Sequence, residues 1–249
     1  MTDFKNNFKY CTLTGVDDHT NLSQLENIAK RYEFSEWGFL YSLNNNQETR
    51  YPNVFNIKKA LFSLDKNIHL SIHYCGKTVT ELLTNEKSEA RNLFSIIASR
   101  KGRIQLNFNY LRKEPLIDLS LLENFISKSP IKIIIQYNKN NAIVMQKLKH
   151  LKNIQFLLDE SGGNGIERQN WPNSPDDIDF GYAGGINNQN IENVLLNIEK
   201  NYKLNDQFKT WIDMESSLRV EDKFDLTISE EILKKITNFL KQENNLKLK

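Results

Sequence analysis

Ile68-His69-Leu70-Ser71-Ile72-His73-Tyr74-Cys75 alternates apolar and polar side chains without a break. A period of two belongs to a β-strand with one face turned to an apolar layer. Ile68, Leu70, Ile72 and Tyr74 form that face, and His69, Ser71, His73 and Cys75 form the other. Runs of similar length, rich in β-branched and aromatic residues, recur along the chain at Phe8–Thr14, Glu36–Ser42, Arg103–Asn109, Ile131–Tyr137, Ile154–Asp159, Phe180–Ala183 and Thr210–Glu215. Segments with helical spacing stand between several of them. Leu22, Leu25, Ile28 and Ala29 mark one; Leu93 to Ala98, Leu121 to Ile126, Ile191 to Ile198 and Ile232 to Leu240 mark others. Strands alternating with helices predict parallel βαβ units and an α/β fold. Eight strands in 249 residues match a closed (β/α)8 barrel, the TIM-barrel class, as one domain over residues 1–249. The rival, a doubly wound sheet, would favour a glycine-rich turn after the first strand. Thr14-Gly15-Val16-Asp17-Asp18 is not one.

Composition narrows the function classes. Thirty-three Lys and Arg against thirty-one Asp and Glu leave a net charge of +2, which is no footprint for nucleic acid. No apolar run is long enough for a transmembrane helix, and Met1 to Asn7 lacks the apolar segment of a signal peptide. Two cysteines, Cys11 and Cys75, make no disulfide framework, so a cytoplasmic location is expected. No nucleic acid, membrane or cofactor partner is expected; the glycine turn at Gly184-Gly185 points instead to a small phosphorylated molecule, and the chain is expected to be a monomer or homodimer.

In a barrel the outward set on each strand must be apolar to meet the helices. Parity then turns His73 and Cys75, Gln105 and Asn107, Gln155 and Asp159, and Asp213 and Glu215 inward. Lys9, Cys11 and Leu13 share a face on the first strand, which alternates less cleanly, and Cys11 is expected to point inward. These polar groups gather at the carboxyl ends, where barrel enzymes build their sites. Cys11 can also be read as a small apolar filler. Gly184-Gly185 ends the seventh strand before a helix, which suits a phosphate-binding turn built from backbone N–H groups, or a plain left-handed turn. Gly162-Gly163-Asn164-Gly165 is a second glycine loop, a lid or simply a loop.

Several fragments, in order, resemble phosphoribosylanthranilate isomerases, barrels of tryptophan biosynthesis. They are Lys9-Tyr10-Cys11-Thr12-Leu13-Thr14; Gly38-Phe39-Leu40-Tyr41 with Arg50-Tyr51; Ile104-Gln105-Leu106-Asn107; Leu157-Leu158-Asp159 with Gly162-Gly163 and Trp171; Ala183-Gly184-Gly185-Ile186; and Trp211-Ile212-Asp213-Met214-Glu215-Ser216-Ser217. The resemblance implies an aldose–ketose isomerase that performs an Amadori rearrangement on a phosphoribosylated aromatic amine. It implies Asp159 as general acid, Cys11 as general base and Arg50 on the substrate carboxylate. Asn107 and Asp213 would join the substrate site, as would His73, which like Cys75 has no counterpart assigned by the family, and Gly162, Gly163, Gly184, Gly185 and Ser216 the phosphate site. Glu215 departs from the pattern, because a carboxylate facing a phosphate is repulsive unless protonated or paired, with Arg219 as the candidate partner. Asn107 stands where many members have histidine, and residues around Asn85–Arg103 are additional.

Other functions compete on the same scaffold. One is a sugar-phosphate isomerase or lyase of different substrate, and another a non-catalytic phosphate binder. A divalent-metal hydrolase using His73, Asp159, Asp213 and Glu215 is a weaker rival, because no compact metal motif is present.

Overall fold

The computed structural model describes residues 3–44, 48–111, 117–160, 171–173, 178–202 and 208–242. Eight parallel strands close a barrel in chain order: β1 (Phe8–Thr14), β2 (Ser35–Tyr41), β3 (His69–Cys75), β4 (Arg103–Asn107), β5 (Ile133–Tyr137), β6 (Ile154–Leu158), β7 (Phe180–Ala183) and β8 (Thr210–Met214). β8 pairs back onto β1 through Cys11 opposite Ile212 and Thr12 opposite Asp213. Around the barrel run α1 (Asp3–Asn7), α2 (Leu22–Arg31), α3 (Val54–Ser63), α4 (Lys77–Thr84), α5 (Glu89–Ser99), α6 (Leu119–Lys128), α7 (Ala142–Leu148), α8 (Ile191–Asn201) and α9 (Leu226–Lys241). Every expected strand is present, and the additional residues near Asn85–Arg103 build α5, the second helix of one crossover.

Local chemistry sets the helix starts. Asn21, Asn53, Ser88, Asp118 and Asp225 each accept a backbone N–H from the first turn of the helix that follows. The helices bury Leu25, Ile28, Ile57, Leu93, Leu122 and Ile232 against the outward strand residues Leu13, Ile72, Leu106, Ile135 and Phe156. That layer is the main core. A smaller cluster of Ile134, Leu157, Ala183 and Trp211, with Tyr10 against it, fills the barrel axis. Gly181 permits it, since a Cβ there would lie 2.2 Å from the Trp211 ring.

The lower interior is charged. Arg103 donates from Nε and Nη2 to the two Glu36 oxygens at 2.8 and 2.6 Å, and from Nη1 to Gln155 at 3.1 Å. Thr12 Oγ1 adds a bond to Glu36 at 2.9 Å. The guanidinium also stacks on Tyr10 and Trp211, 4.4 and 4.7 Å from their centroids. Burial pushes the Glu36 carboxyl up, but the charge and hydrogen bonds of Arg103 outweigh it and hold it below its ordinary value.

A clasp closes the barrel seam at the opposite end. Beyond a 3-10 turn at Ser216–Leu218, β9 (Arg219–Val220) and β10 (Lys223–Phe224) form a hairpin turned by Glu221 and Asp222, both at positive φ. Arg219 donates to Asp17 Oδ2 and to the Gly15 carbonyl, each at 3.0 Å. The Phe224 N–H reaches the same Asp17 oxygen at 2.8 Å. Asp17, behind β1, is thereby tied to the segment behind β8.

Candidate active site

A cavity of about 1000 Å³ opens at the carboxyl ends of the strands. The alternation read on β3, β4, β6 and β8 places His73, Cys75, Gln105, Asn107, Asp159, Asp213 and Glu215 on its lining, and β5 adds Gln136. Arg50 and Tyr51 enter from behind β2.

Each carboxyl group has a distinct setting. Gln136 Nε2 donates to Asp159 at 2.6 Å, and Thr14 Oγ1 donates to Asp213 at 2.7 Å. Burial lifts the Asp213 carboxyl well above its ordinary range, with Glu215, Glu36 and Asp159 adding to the rise. Glu215 is also raised by burial, although Arg50 opposes this from 3.2 Å. That contact corrects the expected partner of Glu215, because Arg219 is committed to Asp17. Arg50 also approaches Glu48 at 3.6 Å, so its guanidinium faces two carboxylates. Burial depresses His73 to about 4, leaving a neutral imidazole beside Ser71 Oγ at 3.2 Å. Cys75 is pushed up to about 12 by burial and remains a thiol.

Cys11 does not reach this cavity. It is 0% exposed and packs in the outer apolar layer between barrel and helices. The cause is a β-bulge between Phe8 and Tyr10, where the register against β8 shifts. A one-residue slip exchanges the two faces of a strand. Phe8 still faces outward, but beyond the bulge Tyr10, Thr12 and Thr14 turn inward, and Cys11 and Leu13 outward. Burial, with Asp213 and Glu36 adding to it, pushes the Cys11 thiol up rather than down. The expectation of Cys11 as an inward-facing base is overturned.

The chain turns left-handed behind β7. Gly184 and Gly185 take φ of 106° and 66°, conformations that side chains other than glycine disfavour. Asn187 accepts the N–H groups of Gln189 and Asn190, and Asn190 accepts that of Asn187. The N–H groups of Gly184, Gly185 and Ile186 have no acceptor among the described residues. Ser217 Oγ donates to the Ile186 carbonyl at 2.7 Å and draws the β8 loop, with Ser216, against this turn. Gly162 and Gly163 lie outside the described residues. Among the described residues no three of His, Cys, Asp and Glu are grouped so as to hold a metal ion, and no helix is long and apolar enough to cross a membrane. The set His73, Asp159, Asp213 and Glu215 is therefore not gathered as metal ligands.

Two features escaped the sequence reading. Thr14 was hidden by the bulge. Gln136 follows an apolar run, Ile133-Ile134-Ile135, in which no alternation marks the inward face.

A closed parallel barrel whose carboxyl-end mouth is lined by buried carboxyls, amides and a glycine turn defines the chain as a (β/α)8 barrel. The solved structures it resembles include TrpF from Jonesia denitrificans, at 11% identity over 92% of this chain and 97% of that one, with a TM-score of 0.59. They also include phosphoribosyl anthranilate isomerase from Thermotoga maritima, at 13% identity over 92% and 99%, with a TM-score of 0.56. N-(5'-phosphoribosyl)anthranilate isomerase from Pyrococcus furiosus matches at 12% identity over 92% and 98%, with a TM-score of 0.55. No family model and no curated protein matches the chain. At such identities the likeness establishes the fold.

Proposed function

We propose that the chain is an aldose–ketose isomerase of a small phosphorylated substrate, the reaction class that includes the phosphoribosylanthranilate rearrangement. The observation that carries this reading is the facing of Asp159 and Asp213 into one cavity whose edge holds the N–H groups of Gly184, Gly185 and Ile186, which have no acceptor among the described residues. The glycine turn, with Ser216 beside it, takes the phosphate through backbone donors. Burial raises the Asp213 carboxyl well above its ordinary range, which favours its protonated form and suits it to serve as the acid. Asp159, oriented by Gln136, serves as the base, which exchanges the role that the family resemblance gave it.

Asp213 delivers its proton to the ring oxygen as the bond from that oxygen to C1 breaks. Asp159 takes the proton from C2 and an enol or enolamine forms. Return of that proton to C1, and of the C2-hydroxyl proton to Asp213, gives the ketose and restores both groups. Neither Cys11 nor a metal enters the scheme.

The test is turnover of ribose 5-phosphate and phosphoribosylanthranilate by the wild type and by Asp159→Asn and Asp213→Asn. Each substitution should lower kcat by about 10²–10⁴-fold with little change in KM. Wild-type rates in both variants would overturn the assignment.

A further inference from the structure

We propose that Glu215, by occupying Arg50, makes the mouth refuse a substrate carboxylate, so that the end of the substrate remote from its phosphate is uncharged and hydroxyl-bearing. This inference rests on reading the mouth as the site of a phosphorylated substrate. Arg50 is the guanidinium that a carboxylate on the substrate would seek. It already meets Glu215 at 3.2 Å and Glu48 at 3.6 Å. An incoming carboxylate would have to share the cation and sit beside Glu215, and like charges brought together in a partly desolvated site repel strongly. Glu215 has little freedom to withdraw. It directly follows β8, its carbonyl accepts the Leu218 N–H at 3.1 Å, and the loop it opens is pinned by Ser217 to the β7 turn.

The wall opposite the glycine turn matches an uncharged ligand. β3, β4 and β5 present His73, Cys75, Gln105, Asn107 and Gln136 to the cavity. Gln105 Nε2 donates to Asn107 Oδ1 at 2.9 Å, and Asn107 Nδ2 points at Cys75 Sγ from 3.7 Å. Burial keeps the His73 imidazole neutral. Lys139, the other cation on the lining, stands exposed on the loop after β5. Amides and a neutral imidazole offer both donors and acceptors, which suits hydroxyl groups and gives a carboxylate no counter-charge.

The experiment uses two stable ligands. One is reduced 1-(o-carboxyphenylamino)-1-deoxyribulose 5-phosphate, a compound bound in a solved phosphoribosyl anthranilate isomerase structure; the other is its counterpart without the ring carboxylate. Calorimetric titration into the wild type and Glu215→Gln gives the ratio of the two affinities. The wild type should bind the carboxylate-free ligand about tenfold more tightly, and Glu215→Gln should shift the ratio by about tenfold toward the carboxylated one. A wild type that prefers the carboxylated ligand, or a ratio unmoved by the substitution, overturns the proposal. If Glu215→Gln fails to fold, Glu215→Ser and the wild-type ratio still decide. Dephosphorylated forms of both ligands serve as controls. If they bind as tightly as the phosphorylated forms, the phosphate-site reading fails while the carboxylate ratio is still read; no binding by any of them overturns both.

Discussion

Glu36 and Arg103, low in the barrel, are among the most deeply buried charges of the described residues, and every partner they need is within hydrogen-bond reach. At the carboxyl ends Asp159, Asp213 and Glu215 share one cavity, and the guanidinium nearest them is divided between two carboxylates. The lower group is matched, and its carboxyl is held below its ordinary value. The upper group is mismatched, and two of its carboxyls are pushed above theirs. A buried charge with its complement completed holds a structure together, whereas an excess of one sign left facing a cavity awaits something from outside.

The comparison can be broken most forcefully from below. Glu36→Ala strands the Arg103 charge in the interior and should cost about 3–5 kcal/mol in denaturant unfolding. Acid should imitate this loss. Because the folded carboxyl lies below its unfolded value, its contribution is full above about pH 4 and vanishes as pH falls through the folded value. A small loss from Glu36→Ala would show that the pair is dispensable.

Asp213 should respond with the opposite sign. Its folded value is raised, so the folded chain holds a proton that the unfolded chain gives up near pH 4, and stability falls as pH rises above that point. Asp213→Asn removes this slope and should stabilise the protein at neutral pH by about 1–2 kcal/mol, even as turnover is lost. Parallel pH–stability curves for variant and wild type would erase the distinction between the two layers.

The smallest effect belongs to a residue in neither group. Cys11→Ala trims a side chain sealed in the outer layer and should cost about 1 kcal/mol in stability. Turnover should remain at the wild-type rate. A large loss of activity with retained folding would return Cys11 to the mechanism.

The difference between these residues also marks where sequence reasoning succeeds. β3 alternates cleanly, so His73 and Cys75 were legible as inward residues, and the same parity on β4 turns Arg103 inward, though it does not point to its partner Glu36 on β2. β1 defeated it because apolar residues occupy both parities, with Phe8 and Tyr10 on one and Leu13 on the other, and a bulge reverses the faces between them. β5 gave no parity at all. The left-handed backbone of the turn behind β7 was legible because glycine is the residue that adopts it readily. The Arg50–Glu215 pairing was not, since it joins residues 165 positions apart in chain order. Only closure of the barrel makes them neighbours.

Closure itself has a consequence for assembly. Each of the first seven strand pairings joins neighbours along the chain, but β8 must find β1, and the Asp17–Arg219 clasp spans 202 positions. The entropic cost of so long a loop exceeds that of a 30-residue βα unit by only about 2 kcal/mol, because it grows with the logarithm of length. Contacts of such separation nevertheless form slowly. The seam is therefore expected to shut last and to open first, with the amide hydrogens of β1 and β8 exchanging ahead of those of β3 and β4. An open, twisted ribbon of parallel strands would be the species that a cell must protect while this chain matures.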